Sequence, residues 1–259
     1  MIIAITNKKG GVGKTTVTTN LSYALSMIGK KVLVLDFDYQ GSTSSIFYNE
    51  TSPDDRKADY LFKSKNIDAR PAIHPAYINT ERVENLHIIP ASKELKETDQ
   101  QIASKLNRQK LLNGPLKKAS VDFDFVLIDC PPDLGPLTEN AIFSADLILI
   151  PVDYSKFSLD GVADLFEVLQ EVKENNSYQY RILKNKLNRR RTTTNTLIDE
   201  ALFEFEKNIF KTIISECEAF NQAQLYEQVI FTYDPKSGGA DDFKNLASEI
   251  IKLDKEIKK

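Results

Sequence analysis

One short run near the start of the chain, KKGGVGKTT from Lys8 to Thr16, constrains the fold more than any other stretch. It follows "MIIAIT", a continuous apolar segment of the kind that forms a strand buried on both faces. It leads into a segment in which Val17, Leu21, Ala24, Leu25 and Ile28 share one helical face before Gly29. Strand, glycine-rich turn and helix in that order leave backbone amides converging at a helix N-terminus, which suits anionic oxygens. The ordinary pattern G-x-x-x-x-G-K-[ST] wants glycine at position 8, whereas lysines stand at both Lys8 and Lys9.

The remainder of the chain repeats the alternation. "VLVLDFD" from Val32, "LHIIPA" from Leu86, "FVLID" from Phe125, "LILIPVD" from Leu147, "RILKN" from Arg181 and "KTIIS" from Lys211 read as buried strands. Leu159, Val162, Leu165, Phe166, Leu169 and Val172 mark a second amphipathic helix. Strand alternating with helix predicts an α/β fold, a doubly wound and mostly parallel sheet with helices on both faces. No linker, repeat or low-complexity segment interrupts the pattern, so residues 1–259 are expected to form a single domain. About residues 48 to 85, prolines and polar residues predict only short helices and loops.

Bulk properties narrow the functional classes. A chain of 259 residues that is 41% hydrophobic can bury a sizeable core. The formal charge of -3 gives no global positive field, so any affinity for nucleic acid must come from a local patch. The two cysteines, Cys130 and Cys217, lie far apart and outside any C-x-x-C pair, which argues against a disulfide framework or a zinc site and fits a reducing cytoplasm. Runs such as "ADLILIPV" fall well short of the roughly 18 residues of a membrane span. Near the end, Phe243, Leu246, Ile250, Leu253 and Ile257 recur at helical spacing with acids among the lysines, which predicts a packed helix rather than a lipid anchor. No membrane partner is expected.

In this context the amides of Gly10, Gly11, Val12, Gly13, Lys14, Thr15 and Thr16 can surround the phosphates of a nucleotide. Lys14 is then expected to bridge the β- and γ-phosphates and Thr15 to hold Mg²⁺. Asp129, at the tip of "FDFVLIDCPP", suits Mg²⁺ through water. Asp36 and Asp38 stand at another strand tip, where two carboxylates near a Mg-nucleotide can serve the metal and an attacking water, or simply end a strand. Asn185 follows a strand and carries an amide able to pair with adenine, and Pro235 in "YDPKS" can lie against a base; both residue types are equally at home in turns.

Five segments in order, "KGGVGKTT", "DFDYQGSTS", "FDFVLIDCPPDLG", "LTENAIFSADLILIPV" and "YDPKSGGADDFKNLASEI", resemble the ParA/MinD family of deviant Walker ATPases, and within it the ParA (Soj-like) partition proteins. The resemblance implies a P-loop NTPase that binds ATP and Mg²⁺ and hydrolyses slowly, with Lys9, Lys14 and Asp38 as its catalytic set. It implies an ATP-bound sandwich homodimer in which Lys9 reaches the phosphates on the other subunit and Gly10 lies where the subunits come closest. A cation delivered in trans neutralises charge that grows in the transition state. Lys8 is expected to be a solvated neighbour.

The same resemblance implies plasmid or chromosome partition, with non-specific DNA bound by the ATP dimer and a ParB-like centromere-binding protein that stimulates hydrolysis and releases it. The candidate DNA surface is "RILKNKLNRRRTTTN", which holds Lys184, Lys186, Arg189, Arg190 and Arg191, followed by threonines and Asn195. Two features depart from the family pattern. Tyr39 replaces a turn proline, and "ISECEAFNQA" carries Glu216 and Glu218 where relatives have arginines, so the DNA surface should be narrower or shifted. That leaves a rival expectation, a positioning ATPase acting on a protein cargo or membrane surface without DNA.

Overall fold

The computed structural model describes residues 1–258 except 53–54, 65, 155 and 174–177, with only the backbone for 156–161. Its strands are β1 (Ile2–Ile5), β2 (Val32–Asp36), β3 (His74–Ile78), β4 (Glu81–Ile89), β5 (Phe125–Asp129), β6 (Leu147–Asp153) and β7 (Gln179–Asn185). They form one sheet in the order β3-β4-β2-β5-β1-β6-β7, parallel throughout except for the antiparallel β3–β4 pair. The helices are α1 (Lys14–Met27), α2 (Ser42–Phe47), α3 (Leu95–Ala103), α4 (Asn113–Ala119), α5 (Pro136–Ser144), α6 (Lys156–Val172), α7 (Thr192–Ala201), α8 (Glu218–Leu225), α9 (Ile230–Tyr233) and α10 (Gly238–Ile257).

The alternation of side chains along each strand divides the core between the two faces of the sheet. Ile3 and Ile5 of β1, with Val32 and Val34 of β2, pack against Val17, Leu21 and Leu25 of α1 and Phe243, Leu246 and Ile250 of α10. Ala4, Leu33 and Leu35 face the other way, toward Leu116 of α4, Leu137 of α5 and Leu165 and Leu169 of α6. This is the doubly wound arrangement that the uninterrupted apolar runs predict. Phe243, Leu246, Ile250 and Leu253 of α10 are buried, as the packed-helix reading requires, while Ile257 is exposed. Among the described residues no helix is long and apolar enough to cross a membrane.

Three details differ from the sequence expectations. α1 ends at Met27, because Gly29 adopts φ 77° and the amides of Gly29 and Lys30 turn back to Ser26 and Leu25; Ile28 therefore leaves the buried stripe. "KTIIS" is not a strand. The amides of Phe210 and Ile214 donate to Ile182 and Lys184 on β7, but those of Lys211 and Thr212 are taken by the Glu249 carboxylate and that of Ser215 by Asp242, both on α10. Conversely, β3 and the first half of β4 arise where the sequence predicts loops. Their turn uses Asn79 and Thr80 at φ 48° and 76°, so no glycine advertises the hairpin. Leu159, read as part of a buried stripe, lies on α6 outside the described side chains.

Candidate nucleotide site at the carboxyl edge of the sheet

Parallel strands bring their carboxyl ends to one edge, and helix-covered sheets of this kind bind ligands there. β1 feeds the loop into α1. β2 and β5 lie side by side with Asp36 opposite Asp129, and β6, on the other side of β1, ends at Asp153.

The loop needs two glycines in left-handed conformations, Gly11 at φ 76° and Gly13 at φ 94°. At Gly13 the requirement is double, since the side-chain amide nitrogen of Asn185 occupies the place a Cβ would take. A Cβ added at Gly10 would meet nothing among the described residues within 4 Å, so no intramolecular contact explains a glycine there. Lys14 is buried, and its ammonium donates to the carbonyls of Asn7 (3.0 Å) and Lys9 (3.3 Å). Burial lowers its pKa, against the pull of Asp129.

Thr15 and Asp129 are joined. The Thr15 hydroxyl donates to Asp129 Oδ2 at 2.9 Å, Thr43 donates to the same oxygen at 2.7 Å, and Thr18 reaches Oδ1 at 3.3 Å. Asp36 Oδ2 accepts from the amide and hydroxyl of Ser44 at 2.8 and 2.6 Å, and its Oδ1 accepts the amide of Asp38. Burial raises the pKa of Asp36, with Asp129 adding repulsion, and burial raises that of Asp129 against the hydrogen bonds from Thr43 and Thr15. Two buried carboxylates and a hydroxyl beside a lysine form a donor set of hard oxygens that fits Mg²⁺. Asp38 is half-buried next to them, its Oδ1 bonded to the amide of Gln40.

Lys9 turns toward β6, where its ammonium lies 3.0 Å from both oxygens of Asp153. Lys8 is not merely solvated; it pairs with Asp164 of α6 at 2.7 Å. Asp153 was missed in the sequence, although a signal was present: β2, β5 and β6 all end in aspartate at this edge.

The basic run separates on folding. Lys184 pairs with Asp199 at 2.6 Å, and Lys186, in a left-handed turn at φ 56°, donates to the carbonyl of Gly11 at 2.7 Å. Arg189, Arg190 and Arg191 stay exposed ahead of α7. Asn185 is anchored beside the loop, donating one Nδ2 hydrogen to the Val12 carbonyl at 2.7 Å and accepting the Lys186 amide at Oδ1, which leaves a second donor and a second acceptor position on its amide. Beside the loop opens a cavity of about 110 Å³ lined by Thr16, Asn185, Lys186, Ser215, Glu216, Cys217, and Phe220, Asn221 and Gln224 of α8. Pro235 is exposed between α9 and α10 and does not line it.

An AAA domain family model matches residues 1–188. The sporulation initiation inhibitor protein Soj of Bacillus subtilis is 34% identical over 253 residues, which cover 96% of this chain and 97% of that protein. Among solved structures, apo McdA of Cyanothece superposes with a TM-score of 0.80 at 21% identity, covering 96% of this chain and 98% of that one. A plasmid partition protein of Borrelia burgdorferi bound to AMPPNP gives 0.77 at 24%, covering 97% and 98%. At those identities the structures speak for the fold, and the near full-length likeness to Soj speaks for descent. The chain belongs to the ParA/Soj family of Walker ATPases.

Proposed function

We propose that residues 1–259 form one ATPase domain acting as a nucleotide-driven switch in plasmid or chromosome partition, with its ATP-bound homodimer holding non-specific DNA. The observation that carries this reading is the joining of Lys14, Thr15, Asp129, Asp36 and Asp38 at one sheet edge around a loop with two left-handed glycines. Gly10 to Thr16 cradle the phosphates of ATP, and Lys14 exchanges two backbone carbonyls for phosphate oxygens. Thr15 and Asp129 would hold Mg²⁺, with Asp36 behind them; bound there, the ion neutralises phosphate charge. Asp38 orients the attacking water. Lys9 leaves Asp153 to reach the phosphates of the second subunit, so its charge is supplied only when two ATP-loaded chains meet.

Arg189, Arg190 and Arg191 at the start of α7 are the cations that remain for DNA phosphates. A ParB-like centromere-binding protein that stimulates hydrolysis would release the dimer from DNA, and the cycle fits a cytoplasmic protein associated with the nucleoid. The rival reading, a positioning ATPase on a protein or membrane surface, is favoured by one observation: Lys184 and Lys186 are engaged inside the chain, which narrows the basic surface. A gel shift with non-specific duplex separates the two. Retardation in ATP but not in ADP supports the DNA switch. No retardation in either nucleotide, with an ATP dimer still formed, supports the rival.

A further inference from the structure

β4 outruns the strand beside it. It meets β2 only from Leu86 onward, where Leu86 pairs with Val32, so residues 81–85 pass the start of β2 with no strand opposite them. On its other side β3 takes Glu81 and Arg82, but the register then shifts, and Val83, Glu84 and Asn85 pair with neither neighbour. Asn85, at φ 60°, marks the irregular end of this stretch, just before the half of β4 that lies inside the sheet. Backbone amides and carbonyls left without a ladder are a template for a further strand. Residues 81–85 line a cavity of about 540 Å³, whose other walls include Tyr23, Met27 and Gly29 at the end of α1 and Thr232 of α9. α1 runs from Lys14 at the phosphate loop to Met27 here, about 20 Å at 1.5 Å per residue, so the cavity is separate from the nucleotide edge.

We infer that this groove receives an extended segment of a partner protein, added as a strand beside residues 81–85 and carrying a lysine or arginine to Glu81. Main-chain hydrogen bonds supply the affinity of such an addition, and pockets for alternate side chains supply its selectivity. Five residues at about 3.3 Å each give the added strand about 16 Å of edge to follow. The charge of the occupant follows from the lining. Among the described residues the carboxylates of Glu81 and Glu84 have no ion pair, and the Tyr23 hydroxyl has no hydrogen-bond partner. Burial and the nearby Glu81 carboxylate raise the pKa of Tyr23, which keeps its hydroxyl a donor beside that acid. The ring of Tyr23 is held by stacking on Phe231, centroids 5.5 Å apart. The one cation of the stretch, Arg82, is near His87, whose pKa is lowered by burial and then by that charge. Val83, packed on the core beneath α1, and the exposed Met27 offer apolar contact to the residues that flank the cation. An acidic, partly apolar groove along an unpaired strand thus fits a segment in which basic and apolar residues alternate.

Fluorescein-labelled hexapeptides of alternating valine and lysine, and of alternating valine and glutamate, test this on the full chain. Anisotropy reads binding, and hydrogen exchange reads the amides of residues 81–85. The lysine peptide should bind and slow exchange in that stretch, and the glutamate peptide should do neither. Methylating the backbone nitrogens of the lysine peptide removes its main-chain donors and should weaken it by about tenfold or more. Glu81→Lys, a change at an exposed side chain, should weaken the lysine peptide by about tenfold and admit the glutamate peptide, with the circular dichroism spectrum unchanged. Failure of the lysine peptide to bind, or binding without protection of residues 81–85, overturns the proposal. So does binding that survives both backbone methylation and Glu81→Lys. Equal protection by lysine amide alone would assign the groove to a small cation and overturn the added strand.

Discussion

The ammonium of Lys9 sits 3.0 Å from each oxygen of Asp153, across the end of β1. Five residues later the buried ammonium of Lys14 holds the carbonyl of Lys9. The two lysines are thus mechanically connected but chemically distinct, one tied to a carboxylate and one to backbone oxygens that phosphates can replace.

Lys9→Ala should bind ATP with close to wild-type affinity yet remain monomeric, because its own loop is intact and only the contact to a second subunit is lost. Asp153→Asn should do the opposite and dimerise at lower ATP concentration, since it removes the charge that competes for Lys9 within the chain. Light scattering across an ATP titration reads both. Normal dimerisation of Lys9→Ala would overturn the trans-acting role.

Lys14→Ala should weaken ATP binding by about a hundredfold or more, as a charge-assisted contact is lost from every nucleotide state. Calorimetry measures it directly, and full affinity in this variant would displace the nucleotide from the loop.

Asp38→Ala should separate binding from turnover. The side chain lies beside Asp36 without holding the loop, so an ATP dimer should form and persist while hydrolysis falls by about a hundredfold. Phosphate release and scattering on the same sample decide it.

Gly13→Ala should destabilise the protein by at least about 1–2 kcal/mol, the cost of a side chain in the left-handed region. The displaced Asn185 amide adds to that cost. Pairing it with Asn185→Ala should recover part of the melting temperature by clearing the space, while the backbone strain at φ 94° remains.

Replacing Arg189, Arg190 and Arg191 together with alanine should weaken DNA binding on any sequence and flatten its salt dependence, each lost phosphate contact removing about 0.9 from the slope of log K against log salt. Lys184→Ala should change the slope less, because that ammonium is paired with Asp199. Equal effects would mean that Lys184 abandons its partner on DNA.

Local chemistry made the phosphate loop legible: the spacing of Gly13, Lys14 and Thr15 dictates both the turn and the groups it presents, and Asp36 and Asp129 follow from strands that end at one edge. What stayed hidden depends on contacts distant in sequence. Lys186 reads as one cation in a basic run, and only the left-handed turn after β7 sends it back to Gly11. Asp153 resembles any strand-end aspartate until β6 pairs with β1 and brings Lys9 within reach. "KTIIS" has the composition of a strand but loses its ladder to Glu249 and Asp242, which lie far along the chain. The β3–β4 turn, built on Asn79 and Thr80, lacks the glycine that completes the usual Asn-Gly hairpin signal.

Those same two acids give α10 a reach beyond its own packing. Because Asp242 carries the amide of Ser215 and Glu249 those of Lys211 and Thr212, the strip that ends in the Glu216 wall hangs from the last helix like a shelf on its brackets. Replacing Asp242 and Glu249 with alanine, which leaves the buried stripe of α10 in place, would tilt that shelf, so nucleotide affinity should change before the sheet loosens.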